Sequence, residues 1–152
     1  MKKFFTITFI FTSTFLVGQT SCQKCNISIA GEIQKNKEEA TSNMVLNFLC
    51  SFDEACKNNV EFSEISNETV FYLLNTKPKL FLKTLDNSSV DTELILEAIE
   101  NPINDAIDLQ VCYNRIAEQN KSMKHRAKVL DALTKAASKL NRDIKKSQED
   151  EN

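Results

Sequence analysis

Glycine, proline, histidine and tryptophan are scarce or missing in this chain. Of its 152 residues, two are glycine, two are proline, one is histidine and none is tryptophan. Gly18 lies in a segment that we predict to be removed, which leaves Gly31 as the one glycine of the remaining chain. Glycine supplies the positive φ angles of hairpin turns, phosphate-binding loops and dinucleotide-binding folds. Its scarcity argues against all three and predicts an all-α protein.

The usual materials of an active site are also few. His125 is the only histidine, so sites built from two histidines are excluded. No flanking pattern supports a nucleophilic pair between His125 and a cysteine. Glu93, Glu97 and Glu100 have the spacing of a solvated helix face rather than of an acid–base pair. We therefore predict a protein that is not an enzyme, with no cofactor, no metal site and no small-molecule ligand.

The N-terminal residues have the pattern of an export signal. Lys2 and Lys3 precede an apolar run from Phe4 to Val17, which is shorter than the roughly 20 residues of a membrane span. We predict a signal peptide over residues 1–18, with cleavage after Gly18 and a periplasmic or secreted product. The alternative is a signal over residues 1–21 and a lipid on the next residue, which gives a membrane-anchored lipoprotein.

The five cysteines are all candidates for disulfide bonds: Cys22, Cys25, Cys50, Cys56 and Cys112. Exported chains favour disulfides, but five is an odd number. If Cys22 carried a lipid, the other four could form two bonds; otherwise one thiol stays free or pairs between chains. In a continuous helix Cys50 and Cys56 would be about 9 Å apart, too far for a bond. The sequence leaves the pairing open.

Cys22 and Cys25 also form a CxxC motif, which can be a redox pair, half of a metal site or part of a disulfide framework. The motif does not follow a strand in a βαβ pattern, as a thioredoxin-like motif does. Asn26 stands where a c-type haem site needs histidine. We favour the structural interpretation, and a thiol-redox protein remains the enzymatic alternative.

Apolar residues at helical spacing predict an irregular helical bundle or a short α-solenoid of about six helices. We expect an irregular segment over residues 19–35, a single helical domain over 36–146 and a polar acidic tail over 147–152. Asp86 to Ser89 form a predicted turn, while Pro78 and Pro102 each start a helix after the preceding one ends. The predicted helices cover residues 36–58, 66–77, 78 to the turn, 91–100, 102–119 and 122–146.

Charge is distributed unevenly along the second half of the chain. Residues 86–118 contain eight acidic residues and one arginine, whereas residues 119–146 contain nine basic and two acidic residues. On the last predicted helix, a basic face lies opposite the apolar stripe and consists of Lys121, Lys124, Lys128, Lys135, Lys139, Arg142 and Lys146. Such a face is either solvated or binds an anionic partner.

The preferred function is a non-catalytic module that binds another protein or is structural. Helices 36–58 and 122–146 are the candidate interaction elements. A pI near 5.5 in an exported chain argues against nucleic acid as a partner. The alternative is a lipid-anchored accessory protein whose basic last helix contacts anionic lipid or an acidic partner.

Overall fold

The computed structural model describes residues 22–36 and 39–146. Those residues form seven α-helices and one short 3-10 helix, with no strand, so the predicted all-α class is confirmed. The predicted signal peptide and the acidic tail lie outside the described residues. No helix within them is long and apolar enough to cross a membrane. The helices are α1 (Ile27–Lys35), α2 (Ser42–Leu49), the 3-10 helix (Glu54–Asn58), α3 (Val60–Thr76), α4 (Pro78–Thr84), α5 (Thr92–Glu100), α6 (Leu109–Ala117) and α7 (Arg126–Lys139).

Helix α3 lies at the centre of this irregular bundle. It contacts α1, α4, α5, α6 and the 3-10 helix, while α7 packs across α5 and α6, and α2 packs against α1 and α4. The side chains between them form one continuous core. Its largest fully buried members include Phe48, Leu73, Phe81, Ile99 and Leu133.

Side-chain caps explain where most of the helices begin. A cap oxygen accepts a hydrogen bond from a backbone N–H of the first turn that would otherwise have no partner. Asn59 caps α3, Asp91 caps α5 and Asp108 caps α6 in this way. Pro78 occupies the first position of α4, as the sequence predicts, and the predicted turn at residues 86–89 separates α4 from α5.

The prediction of an irregular segment before residue 36 is wrong, because residues 27–35 form α1. The Asn26 side chain accepts a hydrogen bond from the Ser28 N–H at 3.0 Å and starts the helix. Ala30 and Ile33 then bury one face of α1 against the core. Two well-packed side chains and a cap are enough to fix a short helix that has no long apolar stripe.

The prediction of a single helix over residues 36–58 is also wrong. Helix α2 ends at Leu49, and the chain turns before the 3-10 helix. Asp53 is extended, with φ −158° and ψ 152°, and its side chain caps the 3-10 helix. The Ser51 hydroxyl donates to the Phe48 carbonyl at 2.7 Å. The four-residue apolar spacing continues through this break because α2 and the 3-10 helix both bury side chains in the core.

Three other predicted boundaries shift. Helix α3 begins at Val60 rather than residue 66, and residues 101–108 precede α6 without being helical. Helix α7 is confined to residues 126–139. It ends where Asn141 adopts a left-handed φ of 53° and the Arg142 N–H donates to the Ala137 carbonyl at 2.9 Å. This is a Schellman-type end, which stops the helix before residues 142–146.

Candidate functional site

Two disulfide bonds hold the start of the described chain against the turn after α2. Cys22 is bonded to Cys50 and Cys25 to Cys56, with Cα–Cα distances of 5.5 and 5.4 Å. Four of the five candidate cysteines are therefore paired, and Cys112 is the odd one. Cys50 and Cys56 do not pair with each other, although the helix ends between them.

Backbone contacts position the N-terminal residues for these bonds. The Cys25 N–H donates to the Ser51 carbonyl at 2.9 Å, and Cys25 has a positive φ of 54°. The Lys24 ammonium donates to the carbonyls of Cys50 and Phe52 at 2.8 and 3.0 Å. Lys24 thus satisfies carbonyl groups at the turn that follows α2, where helix carbonyls lack partners.

The pairing changes how the CxxC motif is interpreted. Its two cysteines are bonded to different partners rather than to each other. A lipid would be attached through the Cys22 sulfur, and that sulfur is used in the bond to Cys50. The Cys22–Cys50 bond and a lipid on Cys22 therefore exclude each other, and the odd number of cysteines no longer argues for the lipid.

Cys112 is buried in α6, with 3% of its surface exposed. Burial, assisted by the charge of Asp108, raises the pKa of its thiol to about 12. Because the reactive species is the thiolate, this thiol is held in its unreactive form at neutral pH.

An open groove of about 370 Å³ lies beside α3. Its walls are α3, α5, the 3-10 helix and the segment that follows α5, and we call it the α3 groove. Its apolar lining includes Phe52, Cys56, Phe62, Leu94, Ala98 and Ile103. Of these residues only Cys56 was predicted as a site residue, as a disulfide candidate, and Phe52 and Cys56 lie in the predicted interaction element 36–58.

An edge-to-face aromatic contact and one buried amide shape the α3 groove. Phe52 packs edge-on against Phe62, with ring centroids 5.5 Å apart. The Asn67 side chain donates to the carbonyls of Ala98 and Asn101 at 2.8 and 3.2 Å and accepts from the Ile103 N–H at 3.0 Å. This amide ties the residues after α5 to α3 and keeps Ile103 at the edge of the groove.

The charged rim of the α3 groove consists of Asp53, Lys57 and Glu97, and Glu54 lies beside it in contact with Lys57. The Lys57 ammonium lies 2.9 Å from a Glu54 oxygen and 3.2 Å from a Glu97 oxygen. Hydrogen bonds to these two carboxylates raise the pKa of Lys57. Asp53 lies 3.9 Å from Lys24. Each of the three carboxylates is thus paired with a lysine, Glu54 and Glu97 with Lys57 and Asp53 with Lys24.

The basic residues do not form the single helical face that the sequence predicts. Lys128, Lys135 and Lys139 lie on α7, whereas Lys121 and Lys124 precede it and Arg142 and Lys146 follow it. The prediction is wrong for those four because α7 is shorter than 122–146.

The three lysines on α7 face acidic residues of α5. Lys128 is 2.8 Å from Glu93 and Lys135 is 3.0 Å from Glu100. Lys139 lies 3.9 Å from Glu100 and donates to the Asn101 side chain at 2.9 Å. Acidic and basic residues that are separated along the sequence therefore pair with each other across α5 and α7.

His125 lies just before α7 and is 6% exposed. Desolvation lowers the pKa of its ring. Within residues 22–36 and 39–146, no three histidine, cysteine, aspartate or glutamate side chains come together in a way that could hold a metal ion.

The sequence contained only indirect signals for the α3 groove. Asn67 lies at the start of the helix predicted over residues 66–77, and Asn101 precedes Pro102, where the sequence predicts the start of another helix. Both belong to the hydrogen-bonded link between α3 and Ile103. No family model, no curated protein and no solved structure matches this chain.

Proposed function

We propose that this chain is an exported, disulfide-stabilised helical module that binds another protein. The observation that carries the proposal is the α3 groove, an open apolar surface with Ile103 52% exposed at its edge. Concave apolar surfaces with a few polar groups at the rim are the usual form of binding sites.

The two disulfides support the exported part of the proposal. Disulfides persist in oxidising compartments and are rare in the reducing cytosol. The first bonded residue, Cys22, follows the predicted signal peptide within a few residues. Signal, cleavage site and disulfides together fit a protein that folds after export, in the periplasm or outside the cell.

Photo-crosslinking in the native host tests the proposal. A photoreactive amino acid at Ser63, which lines the α3 groove, is compared with one at Gln119 near the end of α6. We expect a discrete protein adduct from the groove position and a weaker or different pattern from the control. Monomeric protein from both positions after irradiation would contradict a protein-binding function.

The lipid-anchored alternative predicts a different purified molecule. In that case the chain begins at Cys22 and carries added acyl mass, and Cys22 is absent from any disulfide. A chain that begins at Gln19, with both disulfides intact, is the result expected from the proposed function.

A further inference from the structure

The α3 groove places an exposed apolar side chain beside an apolar floor. Among the residues that the structure describes, the exposed large hydrophobic side chains are Val60, at 69%, and Ile103, at 52%. Ile103 lines the groove together with Leu94 and Phe62, whereas Val60 is not part of its lining. An apolar residue of a binding partner would therefore gain contacts with both the floor and the edge.

Both walls of the α3 groove are fixed before any partner binds. The Cys25–Cys56 bond anchors the 3-10 helix on one side. The three hydrogen bonds of Asn67 fix the Ile103 segment on the other side. A preformed site loses little conformational entropy on binding, which favours affinity.

The charge beside the α3 groove is negative by one unit. Asp53, Glu54 and Glu97 carry three carboxylates at or beside the rim, and they pair with two lysines, Lys24 and Lys57. Glu93 and Glu100 lie on the same face of α5 as Glu97, and Lys128 and Lys135 of α7 pair with them. These α7 lysines are thus matched by their own carboxylates, and a cationic group from outside would be complementary to the remaining negative charge at the rim.

We infer that the α3 groove binds a segment of a partner protein that combines an aliphatic or aromatic side chain with a neighbouring lysine or arginine. The apolar side chain packs against Ile103 and Phe62, and the cation contacts Glu97 and Asp53. This inference rests on the proposed protein-binding function and adds the surface and the chemistry of the partner.

Selection from a random peptide library on phage tests the inference. The exported chain, purified without reductant, is immobilised and used to enrich peptides. Synthetic versions of the enriched peptides are then titrated against the protein and its variants at low and high salt. We expect the enriched sequences to contain an aliphatic or aromatic residue next to lysine or arginine.

Matched variants locate the binding surface. Ile103→Ser removes the exposed side chain inside the groove, and Val60→Ser removes the equivalent exposed side chain outside it. We expect Ile103→Ser to weaken binding about tenfold and Val60→Ser to leave it unchanged. Glu97→Gln should weaken binding about threefold and reduce its salt dependence, whereas Glu32→Gln, on α1, should do neither.

Three outcomes would overturn the inference. Peptides that bind wild type, Ile103→Ser and Val60→Ser equally would place binding elsewhere and leave the proposed function standing. Enrichment of acidic peptides, or none at all, would refute the partner chemistry; the proposed function then fails only if photo-crosslinking also yields no adduct. Self-association that Ile103→Ser abolishes would make the occupant a second copy of this chain.

Discussion

His125 Nε2 lies 3.3 Å from Asp86 Oδ1, yet neither ring nitrogen makes a hydrogen bond with any residue that the structure describes. Burial disfavours the protonated ring, while the Asp86 carboxylate favours it. Lys124 and Lys128 disfavour protonation further, and Glu93 favours it. The burial effect is the largest, so the pKa of His125 is lowered in the folded protein.

This lowered pKa predicts a loss of stability in mild acid. The unfolded chain binds the proton more readily, with a pKa near 6.5. The free energy of unfolding that depends on neutral His125 is therefore at its full value above about pH 6.5, and it decreases as the pH falls towards the folded-state pKa. Denaturant unfolding at about pH 7.5 and 5.5 should show this decrease in wild type and a smaller one in His125→Gln. Equal decreases in the two proteins would contradict the assignment to His125.

Alkylation followed by intact mass spectrometry should count the reactive thiols in the native, the unfolded and the reduced protein. The native protein should gain no alkyl group, because the disulfides protect four sulfurs and Cys112 is buried with a pKa of about 12. Unfolding without reductant should add one group, at Cys112, and reduction should raise the total to five. A total of four, with acyl mass on the chain, would instead indicate a lipid on Cys22.

Removal of the Cys25–Cys56 bond should destabilise the protein substantially. The bond joins residues 31 positions apart, but with the Cys22–Cys50 bond in place the loop that it closes runs only through residues 22–25 and 50–56. Closing a loop of about 11 residues contributes about 2.5 to 3 kcal/mol by restricting the unfolded chain. The double variant Cys25→Ala/Cys56→Ala should lose about that much free energy of unfolding. Cys112→Ala is the control for removing a buried sulfur, with an expected loss near 1 kcal/mol. If the double variant and Cys112→Ala lose similar amounts of free energy of unfolding, the cross-link itself contributes little.

Replacement of Asn67 should be costly because its amide is buried and fully used. Asn67→Ala removes the partners of two carbonyls and of the Ile103 N–H. We expect a loss of about 2 to 4 kcal/mol in the free energy of unfolding, measured by denaturant titration. The exposed Asn43→Ala on α2 should change it by less than about 0.5 kcal/mol. If the two variants behave alike, the Asn67 link is not important for stability.

Charge reversal should show that a lysine of α7 forms an ion pair with α5. Glu93→Lys places two cations together and should lower the melting temperature at low salt. Adding Lys128→Glu restores an opposite-charge pair and should recover much of the loss, since the two side chains are 2.8 Å apart. Salt should reduce both effects because the pair is exposed. A second substitution that gives no recovery would argue against the pairing, and Glu32→Lys controls for the added charge.

Local signals predicted part of this fold correctly. Pro78 and the turn at residues 86–89 act within a few residues of themselves, and the structure has them as predicted. Helix α1 was missed because Asn26 is a cap with only a short apolar stripe after it. The break after α2 was missed because apolar spacing records burial and does not show whether the backbone between two buried side chains is helical.

The α3 groove and the disulfide pairing depend on contacts between distant residues. Cys22 and Cys50 are 28 residues apart, and Asn67 reaches residues 31 to 36 positions away. Nothing in the spacing of these residues distinguishes one pairing from another. The basic face was predicted from an assumed helix of 25 residues, and the Schellman-type end at Asn141 shortens that helix.

The order of the two disulfides has a consequence when the molecule meets proteases. Cys22 and Cys25 precede α1, while Cys50 and Cys56 follow α2. A cut anywhere between Cys25 and Cys50 leaves two fragments that remain joined by two covalent bonds. The molecule can therefore be nicked in this region without shedding α1, and the cut becomes visible as a change in size only after the sample is reduced.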